Sequence, residues 1–259
     1  MFAHQGGRVL SYELFDLAPG SVEEKVRALA AEGYQGLNVT VPHKREAMEL
    51  ADQIARRAKL AGAVNTLVLE PTGNILGDNT DGVGLVRDLT DNIGVAIAGI
   101  QVLLMGAGGA ARGVISAVLA KQPHSLTVAN RDVTKAERVA ERFADLGSIH
   151  ACAYDELTKH SFDLVVNATS AGLSGQIPAV PPGVLSSTTV CYDMAYGEAS
   201  KPFTAWANGL GAAAAYQGLG MLVEQAAESF YIWRGVRPNT GPVLKALSRL
   251  GSGLAIKHP

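Results

Sequence analysis

The sequence predicts an α/β chain of two domains, and three observations carry that prediction. The chain has 259 residues, long for a single core and ample for two. Beyond about residue 100, short apolar runs alternate with helical stretches, which implies a parallel sheet with right-handed crossovers. Before that the rhythm differs, with a helix, short strands and a hairpin, and it changes near Asp81. The expected boundaries are 1–80 for the first domain, with 218–259 packing back on it, and 81–217 for the second.

The elements follow in order. Residues 9–15 read as a strand. Ser21 opens a helix, with Glu24 placed three residues on for a capping box. Val22, Val26, Leu29 and Ala30 line one helical face, and Gly33 stops it. A strand over 36–41 ends at Pro42. Residues 45–61 are helical with a break near Asp52. Residues 65–69 and 75–78 form a hairpin around Pro71, Thr72, Gly73 and Asn74. A short helix begins near Asp81. Then come a buried strand over 100–105, a helix from Gly109, a strand over 125–129 and a helix capped by Thr134 that runs to Leu146. Strands over 149–153, 164–167 and 189–193 continue the series. Residues 172–183, rich in Pro and Gly, are a loop, and helices over 219–234 and 242–250 follow. Residues 254–259 read as a frayed tail.

Composition excludes several classes of function. Hydrophobic residues make up 47% and charged residues 18%, so the chain can bury a large core and is not disordered. A net charge of −2 and a pI of about 6.3 argue against nucleic acid. Cys152 and Cys191 form no C-x-x-C pattern, and the six His make no ligand cluster, so neither a disulfide framework nor a metal site is expected. The N-terminus lacks the charged region and apolar run of a signal peptide, and the apolar stretch 209–216 is too short to span a bilayer. The expectation is a cytoplasmic protein.

One loop carries chemistry in its context. The apolar strand Val102-Leu103-Leu104-Met105 runs into Gly106, Ala107, Gly108, Gly109, Ala110 and Ala111, where a helix starts. Gly106 allows a tight turn. Gly108 lets backbone approach a pyrophosphate, and Ala111 keeps helix and sheet close. The helix start offers free N–H groups and a positive dipole end to phosphate. The alternative is a strand-to-helix turn with no ligand. At the end of the next strand stand Asn130 and Arg131, with Lys135 close behind. An NAD site usually has an acid there to accept the ribose hydroxyls, whereas a guanidinium can pair with a 2′-phosphate. The inference is NADP. Asp132 counts against it, because a carboxylate there repels phosphate, and Arg131 alone reads equally well as a solvated arginine.

Three segments are too polar for ordinary packing: Asn38-Val39-Thr40-Val41-Pro42-His43-Lys44, Asn65-Thr66, and Gly77-Asp78-Asn79-Thr80-Asp81-Gly82. Asn38 and Thr40 alternate along an apolar strand and so share a face, where buried polar groups need partners. A hydroxylated substrate would supply them, and so would an internal hydrogen-bond network. Lys44 follows the strand end, where sites in α/β folds tend to lie, although most lysines are simply solvated.

These segments, in this order, resemble the shikimate dehydrogenase family. So do the glycine loop, Asn130-Arg131, Asn167-Ala168-Thr169-Ser170-Ala171-Gly172, Tyr192-Asp193-Met194 and the run from Gly218 through Met221 to Gln225. The ordered set is specific, and quinate/shikimate dehydrogenases share most of it. The resemblance implies an N-terminal α/β substrate domain, a Rossmann-like NADP-binding domain and C-terminal helices returning to the first domain. It implies Lys44 and Asp81 as the catalytic pair. Asn38, Thr40, Asn65, Asp81 and Gln225 would then hold substrate hydroxyls, with Tyr196 nearby. Gly106 to Ala110, Asn130, Arg131, Lys135, Thr169, Gly218 and Met221 would line the cofactor side. The implied reaction is reduction of 3-dehydroshikimate to shikimate with NADPH, in a monomer or homodimer.

The chemistry can also be argued from the residues. Hydride reaching a ketone carbon leaves negative charge on oxygen, and a lysine can answer it as charged donor and general acid. A carboxylate beside a lysine favours the ammonium, while desolvation in a closed cleft opposes it. Proton transfer is therefore assigned to the Lys44–Asp81 pair, with Lys44 the direct donor.

The chain departs from the family in one respect. The family begins with a strand and a loop resembling Gly-x-Pro-Ile-x-His-Ser-x-Ser-Pro, whose serines bind the substrate carboxylate, whereas Met1-Phe2-Ala3-His4-Gln5 looks like the end of the family's first helix. Without that strand, neighbouring backbone groups would be unpaired. A misassigned start or a shortened chain is the favoured explanation. Strand exchange with another chain is a second, and a non-catalytic NADP-binding relative a third. Retention of both Lys44 and Asp81 argues against the last. A different two-domain enzyme such as a methylenetetrahydrofolate dehydrogenase would share the glycine loop but not the Asn-Val-Thr-Val-Pro-His-Lys segment.

Overall fold

The computed structural model describes residues 10–159 and 161–250. The first half runs α1 (Val22–Ala31), β1 (Gly36–Asn38), α2 (Lys44–Glu49), β2 (Gln53–Ile54), α3 (Arg56–Ala61), β3 (Thr66–Leu69) and β4 (Ile75–Asp78). Its four strands form a mixed sheet in the order β1-β3-β4-β2. β3 pairs antiparallel with β1 and β4, and β2 lies parallel to β4. The expected hairpin is present: Glu70 N–H donates to the Asn74 carbonyl, and Gly73 takes the positive φ that the turn needs. Val22 and Val26 of α1 close this core against Ala47, Ala58, Val64, Leu67 and Ile75. Each of the buried Val, Leu and Ile side chains contributes roughly 1.5–3 kcal/mol.

The second half runs α4 (Asp81–Arg87), a π-helical turn (Asp88–Ile93), β5 (Gln101–Met105), α5 (Gly109–Leu119), β6 (Ser125–Ala129), α6 (Val133–Phe143), β7 (Ile149–Cys152), β8 (Leu164–Asn167), β9 (Val190–Asp193), α7 (Lys201–Gly209) and β10 (Ala214–Gln217). Its six strands are all parallel, in the order β10-β9-β8-β5-β6-β7. That is the doubly wound arrangement, with the switch of direction between β5 and β8. All four residues of β8 are buried, as expected of a parallel strand covered on both faces. Two long helices follow, α8 (Leu219–Arg234) and α9 (Gly241–Leu250).

α8 joins the two halves. Met221 sits in the core of the parallel sheet. Further along the same helix, Ser229 reaches Thr66, and Trp233 Nε1 donates to the Leu67 carbonyl at 2.8 Å. α4 lies between α5 and α8. A Cβ on Gly84 of α4 would stand 2.7 Å from the Met221 carbonyl oxygen, and one on Gly113 of α5 would stand 3.3 Å from Asp81 Oδ2. These close approaches need residues without side chains.

Several local expectations are corrected. Residues 10–15 form no strand; Tyr12 is 67% and Leu14 94% exposed, and alternation without a ladder partner does not make a strand. Val9, the first five residues and 254–259 lie outside the described residues. No capping box forms at α1, because Ser21 Oγ donates back to the Ala18 carbonyl at 2.7 Å. Ala30 is exposed. The strand from Gly36 stops at Asn38, since His43 N–H bonds the Thr40 carbonyl and turns the chain. The break near Asp52 holds a short strand, β2, with Asp52 N–H on the Ile75 carbonyl. Asp132, not Thr134, occupies the N-cap of α6. Neither α7 nor β10 is predicted from the sequence pattern, although Pro202 in the first turn of α7 is a start signal.

Candidate active site

Lys44 opens α2, just after the turn that ends the β1 segment, and Asp81 opens α4, just after β4. Backbone bonds hold the adjoining segments together: Val64 N–H donates to the Lys44 carbonyl and Asn65 N–H to the Asp78 carbonyl. Lys44 Nζ donates to Asp81 Oδ2 at 2.6 Å. The lysine side chain is 24% exposed and the aspartate 5%. A part-exposed ammonium therefore rests on a buried carboxylate. Asp81 Oδ1 accepts from Asn65 Nδ2 at 2.8 Å, and Asp81 N–H donates to Asn79 Oδ1 at 3.1 Å. With both oxygens engaged, the carboxylate has one orientation, and the lysine head is aimed by it.

Around this pair the polar groups satisfy one another. Asn65 Oδ1 accepts Thr80 N–H and Thr66 Oγ1–H, each at 2.9 Å, and its Nδ2 reaches Gln225 Oε1 at 3.0 Å. Thr66 Oγ1 meets Ser229 Oγ at 2.8 Å. For Asn65 and Thr66 the internal network accounts for the burial. Asn38 and Thr40 are exposed, which corrects their expected place on a buried face. Asn38 Nδ2 donates to Ser229 Oγ at 2.9 Å and its Oδ1 accepts the Tyr12 hydroxyl at 2.9 Å. The Thr40 side chain has no hydrogen bond among the described residues.

The pair faces a cleft of about 200 Å³ between the two sheets. Lys44, Asp81 and Gln225 line it together with Ala110, Thr169, Gly218 and Met221, and Tyr196, 44% exposed, lines it too. Gly106 turns out of β5 with φ +104°, and a Cβ there would stand 3.2 Å from the Ala168 carbonyl oxygen at the end of β8. The loop thus sits on the topological switch. Ala107 is buried beneath it, whereas Gly108, Gly109 and Ala110 are exposed at the start of α5. A Cβ on Gly108 would meet nothing within 4 Å, so a ligand can lie against its backbone. Free N–H groups, the dipole end and open space fit a pyrophosphate there. Asn130 and Arg131 follow the end of β6, and Lys135 lies in the first turn of α6. Asn130 Nδ2 bonds the Asp132 carbonyl, and the Asp132 carboxylate lies 3.4 Å from Lys135 Nζ.

Comparison with known proteins settles the kinship. Residues 1–67 match the shikimate dehydrogenase substrate binding domain, 88–174 the shikimate/quinate 5-dehydrogenase domain, and 218–247 the shikimate 5′-dehydrogenase C-terminal domain. A shikimate dehydrogenase (NADP(+)) from Alkalilimnicola ehrlichii is 53% identical over 95% of this chain and 91% of its own length. The chain belongs to the shikimate dehydrogenase family. Among solved structures, the Ael1 enzyme from Pseudomonas putida superposes with a TM-score of 0.90 at 42% identity, covering 95% of this chain and 90% of that one. Shikimate 5-dehydrogenase from Thermus thermophilus, solved in complex with NADP(H) and shikimate, gives 0.79 at 27% identity over 92% of this chain and 87% of that one.

In this family member several supporting residues escape sequence reasoning. Asn167 Oδ1 accepts both N–H and Oγ1–H of Thr169, and its Nδ2 donates to Asp193 Oδ2 at 3.1 Å. Burial pushes Asp193 up to about 6, against the pull of the Ala195 N–H and the Asn167 amide. Arg57 forks onto Asp78 with two bonds of 2.7 Å. Asp88 accepts the Tyr192 hydroxyl beside the first turn of α8. Asp78, Asn167, Tyr192 and Asp193 fall in segments quoted above, but their pairings with Arg57, Asp88 and one another join distant parts of the chain that no local pattern links. Among the described residues no group of His, Cys, Asp and Glu could hold a metal ion, and no helix is long and apolar enough to cross a membrane.

Proposed function

We propose that this chain catalyses the reversible NADPH-dependent reduction of 3-dehydroshikimate to shikimate. The carrying observation is the Lys44–Asp81 bond of 2.6 Å at a cleft that Ala110, at the start of α5, also lines. In this reading Lys44 and Asp81 are catalytic. Asn65, Asp81 and Gln225 hold substrate hydroxyls, with Tyr196 nearby and Asn38 and Thr40 at the open end of β1. Gly106, Ala107, Gly108, Gly109 and Ala110 take the pyrophosphate of NADP; Thr169, Gly218 and Met221 flank its nicotinamide end; Asn130, Arg131 and Lys135 take its adenosine end. When bound, the coenzyme supplies or receives the hydride.

The chain's own residues do the rest. As the ketone carbon is reduced, its oxygen gains charge, and the Lys44 ammonium stabilises it and passes on a proton. Asp81, fixed by Asn65 and Asn79, keeps that ammonium aimed at one point. The domains assigned to these tasks are 1–80 with 218–259, and 81–217. The partners are small molecules, without nucleic acid or membrane, for a monomer or homodimer in the cytoplasm. The test is reduction of NADP+ by shikimate, followed by absorbance, with quinate and NAD+ as controls. Fast turnover with shikimate and NADP+ is expected. A folded chain that binds NADP+ and turns over none of these would sink the reading.

A further inference from the structure

Arg57 occupies an unusual place. It lies in α3, outside the cleft lining, and its guanidinium joins two segments that each carry a site residue. One is the end of β4: Nε and Nη2 donate to the two oxygens of Asp78, both at 2.7 Å, three residues before Asp81. The other is α8: Nη1 donates to Glu228 Oε1 at 3.2 Å, one turn after Gln225. Arg237 pairs with the other oxygen of Glu228 and completes the chain of charges. Asp78 Oδ1 also accepts the Asn79 N–H at 2.7 Å, so the turn leading to Asp81 is built on the same carboxylate.

The two clamped segments meet again inside the site. Asn65 Nδ2 lies 2.8 Å from Asp81 Oδ1 and 3.0 Å from Gln225 Oε1. The amide can span both only while α8 and the β4 turn keep their spacing. Side-chain exposure is 31% for Arg57, 17% for Asp78 and 10% for Glu228, so bulk salt screens this bridge little. A planar fork fixes distance and direction together, which a lysine does not.

We propose that Arg57 is a positioning residue that sets Gln225 relative to Asp81, and so tunes substrate binding without touching substrate. The proposal rests on the reading of Gln225 as a substrate-side residue. Arg57→Lys keeps the charge and loses the fork. Its KM for shikimate should rise about tenfold while kcat falls less than threefold, and the Kd for NADPH, read by fluorescence, should not change. In a Gln225→Ala background the same substitution should leave KM within about twofold, since the residue it acts through is gone. A purely structural role predicts equal KM effects in both backgrounds, and that result overturns the proposal.

An activity-free measurement separates this from failure of the functional reading. The Gln225 side-chain amide NMR signal, assigned by its loss in Gln225→Ala, should shift or broaden in Arg57→Lys. An unmoved signal overturns the positioning role even if the protein turns over no shikimate. A moved signal in such a protein would uphold the clamp and reject the substrate. Should Arg57→Lys fold poorly, Glu228→Gln cuts the same bridge from the α8 side and is read in the same way.

Discussion

The Tyr192 hydroxyl donates a 2.6 Å hydrogen bond to Asp88 Oδ2, 104 residues away in the chain. The Tyr192 hydroxyl oxygen in turn accepts the Met221 N–H at 3.3 Å, so β9, the π-helical turn and the first turn of α8 share one buried hydroxyl. Burial and the Asp88 charge push the phenol far above its usual range, which keeps it a donor. This contact seats the turn of α8 that carries Met221 towards the cleft.

Removing that hydroxyl tests the seat. Tyr192→Phe leaves a buried carboxylate short of a donor, and the expected cost is about 1–3 kcal/mol in denaturant unfolding. Gly220→Ala attacks from the other side, because its Cβ would overlap the Asp88 carboxylate. Overpacking should cost about 1–3 kcal/mol or more and raise the Kd for NADPH. Unchanged stability in both variants would show that the contact is incidental.

The pair proposed as catalytic gives a sharper expectation. Lys44→Ala should lower kcat by about 10²–10⁴, the usual worth of a positioned acid, with the NADPH Kd unchanged. Asp81→Asn should fall in the same range, since it removes the carboxylate that aims the ammonium. Near-normal turnover in folded Lys44→Ala would reassign the proton donor.

Asp193 predicts an inverted pH dependence. Its folded value is about 6, against 3.8 for an ordinary aspartate. Between these values the folded chain binds more protons than the unfolded one. The group's contribution is therefore full below about pH 3.8, falls as pH rises to about 6, and stays low above. The loss amounts to at most ~3 kcal/mol. The stability difference between the parent and Asp193→Ala should shrink by up to that amount from pH 4 to pH 7. A flat difference would contradict the shift.

Coenzyme choice should respond to Asp132. Its carboxylate holds Lys135 at 3.4 Å and would share that lysine with a 2′-phosphate. Asp132→Asn frees the cation and removes a like charge, so the Kd for NADP+ should drop about two- to tenfold, with the gain fading at high salt. No change at low salt would place Asp132 away from the phosphate.

What was legible in the sequence was local. The strand running into Gly106 and the helix after it carry their own signal, and β6 and α8 begin and end where the pattern puts them. The segments holding Lys44 and Asp81 stood out as polar runs in apolar surroundings, but it was the ordered resemblance that singled out the pair. The fork from Arg57 to Asp78 and Glu228 was not legible, because a surface-type residue in a short helix looks the same whether or not it has partners 171 residues away. Ser21 shows the opposite error: the motif is present, but its hydroxyl found a nearer acceptor at Ala18.

α4 touches α5 through the Gly113 approach to Asp81, and α8 through Gly84. Either glycine is therefore a place where a wedge could be driven: a methyl at Gly84 would press on the Met221 carbonyl and one at Gly113 on Asp81 itself, and both would disturb the carboxylate that holds Lys44.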